Sequence, residues 1–232
     1  MTSSSQEPLT LRPPRLSGED VLKEYILSRN LRPGDRLPPE HDLAVELGAS
    51  RNVIREALRA LQALGIVDIR HGIGVYIQEA TLSSLTDSLT FWSRIAARDG
   101  LEALYPIAEV REVLEVNLLD RVIGAHSEAD LADLQAAVDE MRAAAAAGSY
   151  APEADGRFHE LLYRPLGNWV LIFLIRAFWD AFDEIARNSP RTRRPPQEIA
   201  EQHAAILDAL RCGDQAAARA EMVRHFDNQL RR

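Results

Sequence analysis

The sequence predicts a mainly α protein: a small N-terminal unit of short helices with one β-hairpin, followed by an all-α antiparallel helical bundle. Three observations predict it. Strand-like alternation occurs once, in Ile66-Val67-Asp68-Ile69-Arg70 and Val75-Tyr76-Ile77, around Gly72 and Gly74, and two such runs about a glycine loop read as a hairpin. From about Thr81 onward no strand pattern returns, only helix-length segments rich in Ala, Leu, Glu and Arg. Charge divides at the same place. Residues 1–78 carry 10 basic and 10 acidic side chains and the rest carry 17 and 25, so the whole net charge of −8 lies in the C-terminal part.

Taken in order, residues 1–17 have no continuous apolar region and include Pro13 and Pro14, which predicts a disordered leader rather than an export signal. A first helix is expected over Val21 to Arg29, then a turn at Pro33-Gly34-Asp35. Pro38-Pro39-Glu40 opens a second helix through Leu47, because proline at a helix start removes no intrahelical hydrogen bond. Gly48 ends it. Ser50 caps a third helix, Arg51 to Leu64, with Val53, Ile54, Ala57, Leu58 and Leu61 as its inward stripe. With the hairpin, these elements define a domain over residues 18–78.

A second domain, 81–232, is expected to hold helices at roughly 82–98, 102–124, 127–147, 153–163, 168–188, 196–211 and 214–230. Ser127 followed by Asp130 and an apolar stripe is a capping pattern, and Gly124, Gly148, Gly167 and Gly213 fall at breaks. The segment Arg191 to Pro196 reads as a solvated basic loop.

Composition bounds the class. At 232 residues, 46% hydrophobic and 27% charged, the chain has the balance of an ordinary globular protein. An acidic total with pI ≈ 5.3 argues against a non-specific polyanion binder. The most apolar run, Trp169 to Ile175, is 7 residues long, far short of a membrane span. A lone Cys212 excludes an internal disulfide and fits a reducing compartment. A cytoplasmic protein with no membrane partner is the expectation.

Helix, glycine turn, second helix and hairpin together make a winged helix-turn-helix, whose second helix enters the major groove of DNA. Ser50, Arg51, Asn52 and Arg55 stand in the first turn and a half of that helix. Arginine can bind guanine bidentately, asparagine can read adenine, and a serine at a helix N-terminus suits a phosphate.

The residues Leu37-Pro38-Pro39-Glu40, Leu43-Ala44, Leu47-Gly48-Ala49-Ser50-Arg51, Val53, Arg55-Glu56-Ala57-Leu58, Leu61, Gly65 and His71-Gly72-Ile73-Gly74 resemble the winged helix-turn-helix of the GntR family of bacterial transcription regulators. The resemblance covers about residues 18–78. It implies DNA contacts from His41, Ser50, Arg51, Asn52, Val53 and Arg55, with His71 and Gly72 at the hairpin tip entering the minor groove. His41 stands where that family more often has arginine, and Val53 where it often has a small hydroxyl residue.

Three of the six histidines invite a geometric argument. Asp155 and His159 are four residues apart and share one helix face. His203 lies ten residues before Gly213 and His225 twelve after it, so an antiparallel hairpin brings them to about the same height. If helix 153–163 packs beside that hairpin, one carboxylate and three imidazoles converge, a set suited to Zn²⁺, Ni²⁺ or Mn²⁺.

The runs Glu109-Val110-Arg111-Glu112-Val113-Leu114-Glu115, Asp155-Gly156-Arg157-Phe158-His159 and His203 to Leu210, with Gly213-Asp214 and His225, resemble the effector-binding FCD domain of the FadR subfamily over about 81–230. The resemblance implies a divalent metal held by Asp155, His159, His203 and His225. A buried Arg111 needs an anion. Glu115, four residues on, would make it a structural ion pair; a small organic acid gripped by Arg111 and the metal would make it an effector site. Phe173, Phe178, Trp179 and Phe182 are expected to be core rather than pocket lining.

Together these readings predict a ligand-responsive transcription regulator, a repressor acting as a homodimer on a roughly palindromic double-stranded operator and responding to a small carboxylate metabolite. It is not expected to be an enzyme. The alternative is a metal-dependent enzyme, with Glu160 as the nearest general base, or a pure metal sensor, fused to a DNA-binding module.

Overall fold

The computed structural model describes residues 17–79, 82–96, 104–187 and 194–230, which fall into two compact units divided between residues 81 and 82. The leader expected over 1–17 lies outside the described residues except for Ser17, as do the end of the helix at 82–98, the start of the one at 102–124, and residues 191–193 of the basic loop.

The first unit contains α1 (Gly18–Ser28), α2 (Glu40–Glu46), α3 (Arg51–Ala63), β1 (Val67–Arg70) and β2 (Gly74–Ile77). Helix α1 starts about one turn before the expected Val21. The Ser17 hydroxyl accepts from the Asp20 amide at 3.1 Å and the Asp20 carboxylate accepts from the Ser17 amide at 3.4 Å, a reciprocal capping box. Ser50 caps α3 by accepting from the Val53 amide at 3.3 Å. Leu22, Leu43, Ile54, Leu58, Leu61 and Val67 form the core. Val53 departs from the expected inward stripe. It is 46% exposed, because it lies on the flank of α3 where α1 begins.

The hairpin pairs Val67 with Ile77 and Arg70 with Gly74 in antiparallel register. Four-residue strands in a two-stranded sheet are marginal alone. Here the α1–α2 connection runs along β2 and adds backbone bonds from Gly34 N to Ile77 O, Ile77 N to Asp35 O and Leu37 N to Val75 O at 2.8–2.9 Å. Arg36 Nη2 donates to the Ile73 carbonyl at 2.6 Å and so ties down the hairpin tip.

The second unit is wholly helical in its described residues: α4 (Ser83–Ala96), α5 (Tyr105–Leu118), α6 (Glu128–Ala146), α7 (Pro152–Tyr163), α8 (Trp169–Arg187), α9 (Pro196–Arg211) and α10 (Gln215–Leu230). A 3₁₀ turn, Leu119–Arg121, follows α5. The expected helix to residue 124 therefore stops at Leu118, where Leu119 and Val122, both fully buried, turn the chain into the core. The box of Ser127 and Asp130 caps α6 as its spacing predicts. Helix α9 packs between α6 and α10, α10 also packs on α5, and α7 joins α6 to α8. Leu134, Phe158, Leu162, Tyr163, Met222 and Phe226 lie in the main core. Among the described residues, no helix is long and apolar enough to cross a membrane.

Candidate functional site

The first candidate surface is the exposed side of α3 with the hairpin tip. Arg51, Asn52, Val53 and Arg55 are exposed on α3, Ser50 precedes them, and His41 is exposed on α2 beside them. His41 Nδ1 and Arg51 Nη2 lie 2.9 Å apart. Arg55 directs Nε and Nη2 to Glu40 Oε2 at 3.3 and 3.2 Å. These contacts hold two guanidiniums and an imidazole at the start of one helix, where its amide dipoles favour anions. His71 and Gly72 are exposed at the hairpin tip.

The second candidate is a buried centre in the helical unit. His159 of α7, His203 of α9 and His225 of α10 are at most 1% exposed. Each offers a ring nitrogen within 4.8 Å of the others'. Ring centroids lie 5.4 Å apart for His159 and His203, 5.1 Å for His159 and His225, and 4.8 Å for His203 and His225. Asp155 Oδ1 stands 3.5 Å from His159 Nε2 and 3.3 Å from His203 Nε2.

The surroundings orient these groups. His203 Nδ1 faces the Ile199 carbonyl at 2.7 Å, and His159 Nδ1 faces Glu115 Oε2 at 2.5 Å. An Nδ1–H donated to oxygen leaves the Nε2 lone pair for a metal. The Nε2 atoms of His159 and His203 are buried and have no hydrogen-bond partner. Three imidazoles with two lone pairs so directed, and a carboxylate alongside, fit a divalent cation of the zinc or nickel type.

Charge in the centre is redistributed. Burial works to raise the Asp155 carboxyl, but the His203 charge and the close approach of both imidazoles hold it well below the usual range. Burial works to lower the His159 imidazole, but the Glu115 carboxylate and Asp155 together hold it above the usual value. His225 is pushed well below the usual value by burial and by the charges of His203 and His159.

Arg111 on α5 is 1% exposed and Glu115 is fully buried. The two are paired through Arg111 Nε and Glu115 Oε1 at 3.1 Å. That contact uses one donor of the guanidinium. Nη1 and Nη2 are buried with no hydrogen-bond partner, and the rings of Phe182 and Phe226 have their centroids 5.8 and 5.4 Å from the guanidinium carbon.

Sequence reasoning missed several contributors. It assigned Glu115 to Arg111 alone, whereas its second oxygen holds His159. Trp179 is buried in the core as expected and Phe182 packs against core residues, but each also serves the site: Trp179 Nε1 donates to Asp155 Oδ1 at 3.2 Å, and the Phe182 ring lies near Arg111. Tyr150 completes the carboxylate's environment by donating to Asp155 Oδ2 at 2.8 Å. Gly156 lets Trp179 approach: a Cβ there would stand 2.9 Å from the indole carbons Cδ2 and Cε3. Glu160 points elsewhere, toward Arg176 Nε at 3.6 Å. Apart from Gly156, whose place beside Asp155 marks a small residue next to a ligand, and Tyr150, five residues before Asp155, these residues carry no local signal because each acts across helices.

Residues 19–77 match the family model described as bacterial regulatory proteins, gntR family, and residues 106–228 match that of the FCD domain. The chain is 31% identical over 208 residues to the HTH-type transcriptional regulator LutR of Bacillus subtilis, covering 88% of this chain and 93% of that one. It is 29% identical over 220 residues to the putative L-lactate dehydrogenase operon regulatory protein of Escherichia coli, covering 92% and 84%. Among solved structures, a GntR protein of Streptococcus agalactiae matches with a TM-score of 0.71 at 26% identity, covering 91% of this chain and 96% of that one.

Proposed function

The chain belongs to the GntR family of bacterial regulators and carries an FCD domain, and from that premise we propose that it is a transcription regulator of the FadR subfamily whose affinity for its operator is set by a small carboxylate bound beside a divalent cation. DNA binding and regulation follow from the family. Relatives are named as regulators, not enzymes.

The observation that carries the ligand reading is the pairing of two buried groups with complementary needs. Arg111 holds two buried, unpartnered Nη donors, and a guanidinium so placed suits a carboxylate bidentately. His159, His203 and His225, with Asp155 adjoining, form the cation site. Bound there, zinc, nickel or manganese would supply Lewis acidity and an open position for an anion. His159 and His203 present Nε2 because Glu115 and the Ile199 carbonyl occupy their Nδ1 positions.

On DNA, Arg51 and Arg55 read base edges, Asn52 and Val53 add a polar and a methyl contact, and Ser50 and His41 hold phosphate. His71 and Gly72 carry the hairpin tip into the minor groove. A homodimer on a roughly palindromic site gives two such readers. Phe91, Trp92 and Ile95 on α4, at 58%, 64% and 58% exposure, supply an apolar face for the second copy. Repression relieved by the carboxylate is the proposed polarity.

The test selects binding sites from random DNA with the full chain, then follows affinity for the selected site by fluorescence anisotropy with zinc, L-lactate, both or neither. L-lactate is the first probe because one relative is named for an L-lactate dehydrogenase operon; pyruvate and acetate follow it. A change that requires both metal and acid supports the proposal. A change with metal alone makes the protein a metal sensor, and consumption of the acid makes it an enzyme.

A further inference from the structure

Glu115 is fully buried and its three oxygens are all engaged. Oε1 accepts from Arg111, Oε2 faces His159, and the backbone oxygen accepts from the Tyr163 hydroxyl at 2.6 Å. One carboxylate therefore serves two cation-bearing sites on different helices, while the Tyr163 bond pins α5 to α7 at that residue. We propose that Glu115 is a positioning residue that couples the histidine centre to Arg111, orienting His159 for a divalent cation and sharing its charge with Arg111, so that a carboxylate neutralising Arg111 tightens cation binding. This rests on the reading of the two sites given above.

A plain stabilising ion pair accounts for less. Buried pairs contribute little net stability against apolar replacements, and a pair formed for its own sake would satisfy the guanidinium, whereas Nη1 and Nη2 lack partners. The second contact is also specific in kind. A carboxylate on the far nitrogen of a ligating imidazole fixes its tautomer and raises its basicity. Arg111 pulls the other way: it draws on the same carboxylate through Oε1 at 3.1 Å, and its positive charge disfavours a second cation nearby. Whatever neutralises Arg111 removes that opposition and frees Glu115 for His159. Linkage makes the effect reciprocal, so a bound cation tightens the carboxylate equally.

The experiment measures zinc affinity of the full-length protein by competition with a chromophoric chelator, for the wild type, Glu115→Gln, Arg111→Gln and the double variant. Glu115→Gln should weaken zinc by about 10–100-fold. Arg111→Gln should tighten it by about 5-fold or more, and should lose part of that effect when Glu115 is also replaced. A Glu115→Gln affinity within about twofold of wild type, the ordinary additivity error, overturns the positioning role. An Arg111→Gln effect that is equal with and without Glu115 overturns the coupling. A wild type that binds no zinc refutes the cation reading itself, a separate failure. If circular dichroism shows a variant unfolded, ring-nitrogen NMR of the zinc-loaded wild type decides: His159 must be metallated at Nε2 with its proton on Nδ1, and the opposite tautomer overturns the proposal.

Discussion

Replacing Gly156 with alanine tests whether Trp179 is held where Asp155 needs it. The new methyl carbon would lie 2.9 Å from Trp179 Cδ2 and Cε3 and 3.2 Å from Cε2. The indole must then retreat by roughly half an ångström to restore ordinary contact. Trp179 is 8% exposed, so it has little room, and forced repacking of this kind costs about 1–3 kcal/mol. Retreat also stretches the 3.2 Å bond from Nε1 to Asp155, a hydrogen bond to a charged group worth about 1.5–3 kcal/mol. Against this, alanine gains about 1 kcal/mol over glycine inside a helix. The net expectation is a loss of about 1.5–5 kcal/mol, or about 3–20 °C in Tm for a chain of this size. Calorimetry on the metal-free protein measures it, with Trp179→Phe as the second arm of a double-mutant cycle. The smaller ring should absorb part of the cost. A rise in Tm for Gly156→Ala, which helix propensity alone predicts, or strict additivity in the cycle would refute the reasoning.

Three further outcomes follow. Ser50→Ala removes the acceptor for the Val53 amide, so the isolated unfolding free energy should fall by about 0.5–2 kcal/mol, and operator affinity with it, as read by denaturant melts and anisotropy. Arg55→Lys keeps the charge but loses the fork, so discrimination at one base pair should drop by about 1–3 kcal/mol while the salt dependence of binding stays unchanged; anisotropy on base-substituted sites checks it. The metal-free protein should be most stable near pH 6.5. His225, held below that value by burial and neighbouring histidine charge, contributes stability above it and loses it as the pH falls. His159, which burial would lower, is held above that value by Glu115 and Asp155 together; its contribution is full below 6.5 and lost as the pH rises. Urea melts across pH 4.5–9 check both arms, and a flat profile would contradict the opposed shifts.

Much of this was legible in the sequence, for reasons that differ by scale. The hairpin, the Ser50 cap and the Ser127 box are local: a few residues apart, they fix their own geometry. The histidine convergence was legible at longer range because helical hairpins convert sequence distance from Gly213 into height. The same local grammar was present and overlooked at Ser17 and Asp20, which repeat the Ser127 and Asp130 pattern. What stayed hidden depends on which helix faces which. Trp179 reaches Asp155 only because α8 packs on α7 at a glycine, and Glu115 reaches His159 only because α5 and α7 meet there. Val53 was misplaced because the edge of an amphipathic stripe belongs equally to either face.

The contact between Arg55 and Glu40 has a consequence for fidelity. With Arg55 as a base-reading residue, the helix carries its own competitor. The pair is solvent-exposed, at 49% and 38% of the side chains, so it is worth about 0–1 kcal/mol. That cost arises only where Arg55 leaves Glu40 to engage a base. A guanine edge at about 1–3 kcal/mol outbids it, while a mismatched base leaves the arginine with its resident carboxylate. Rejection of wrong sites is thus partly prepaid in the free protein, and sliding along non-cognate DNA need never unmake the pair.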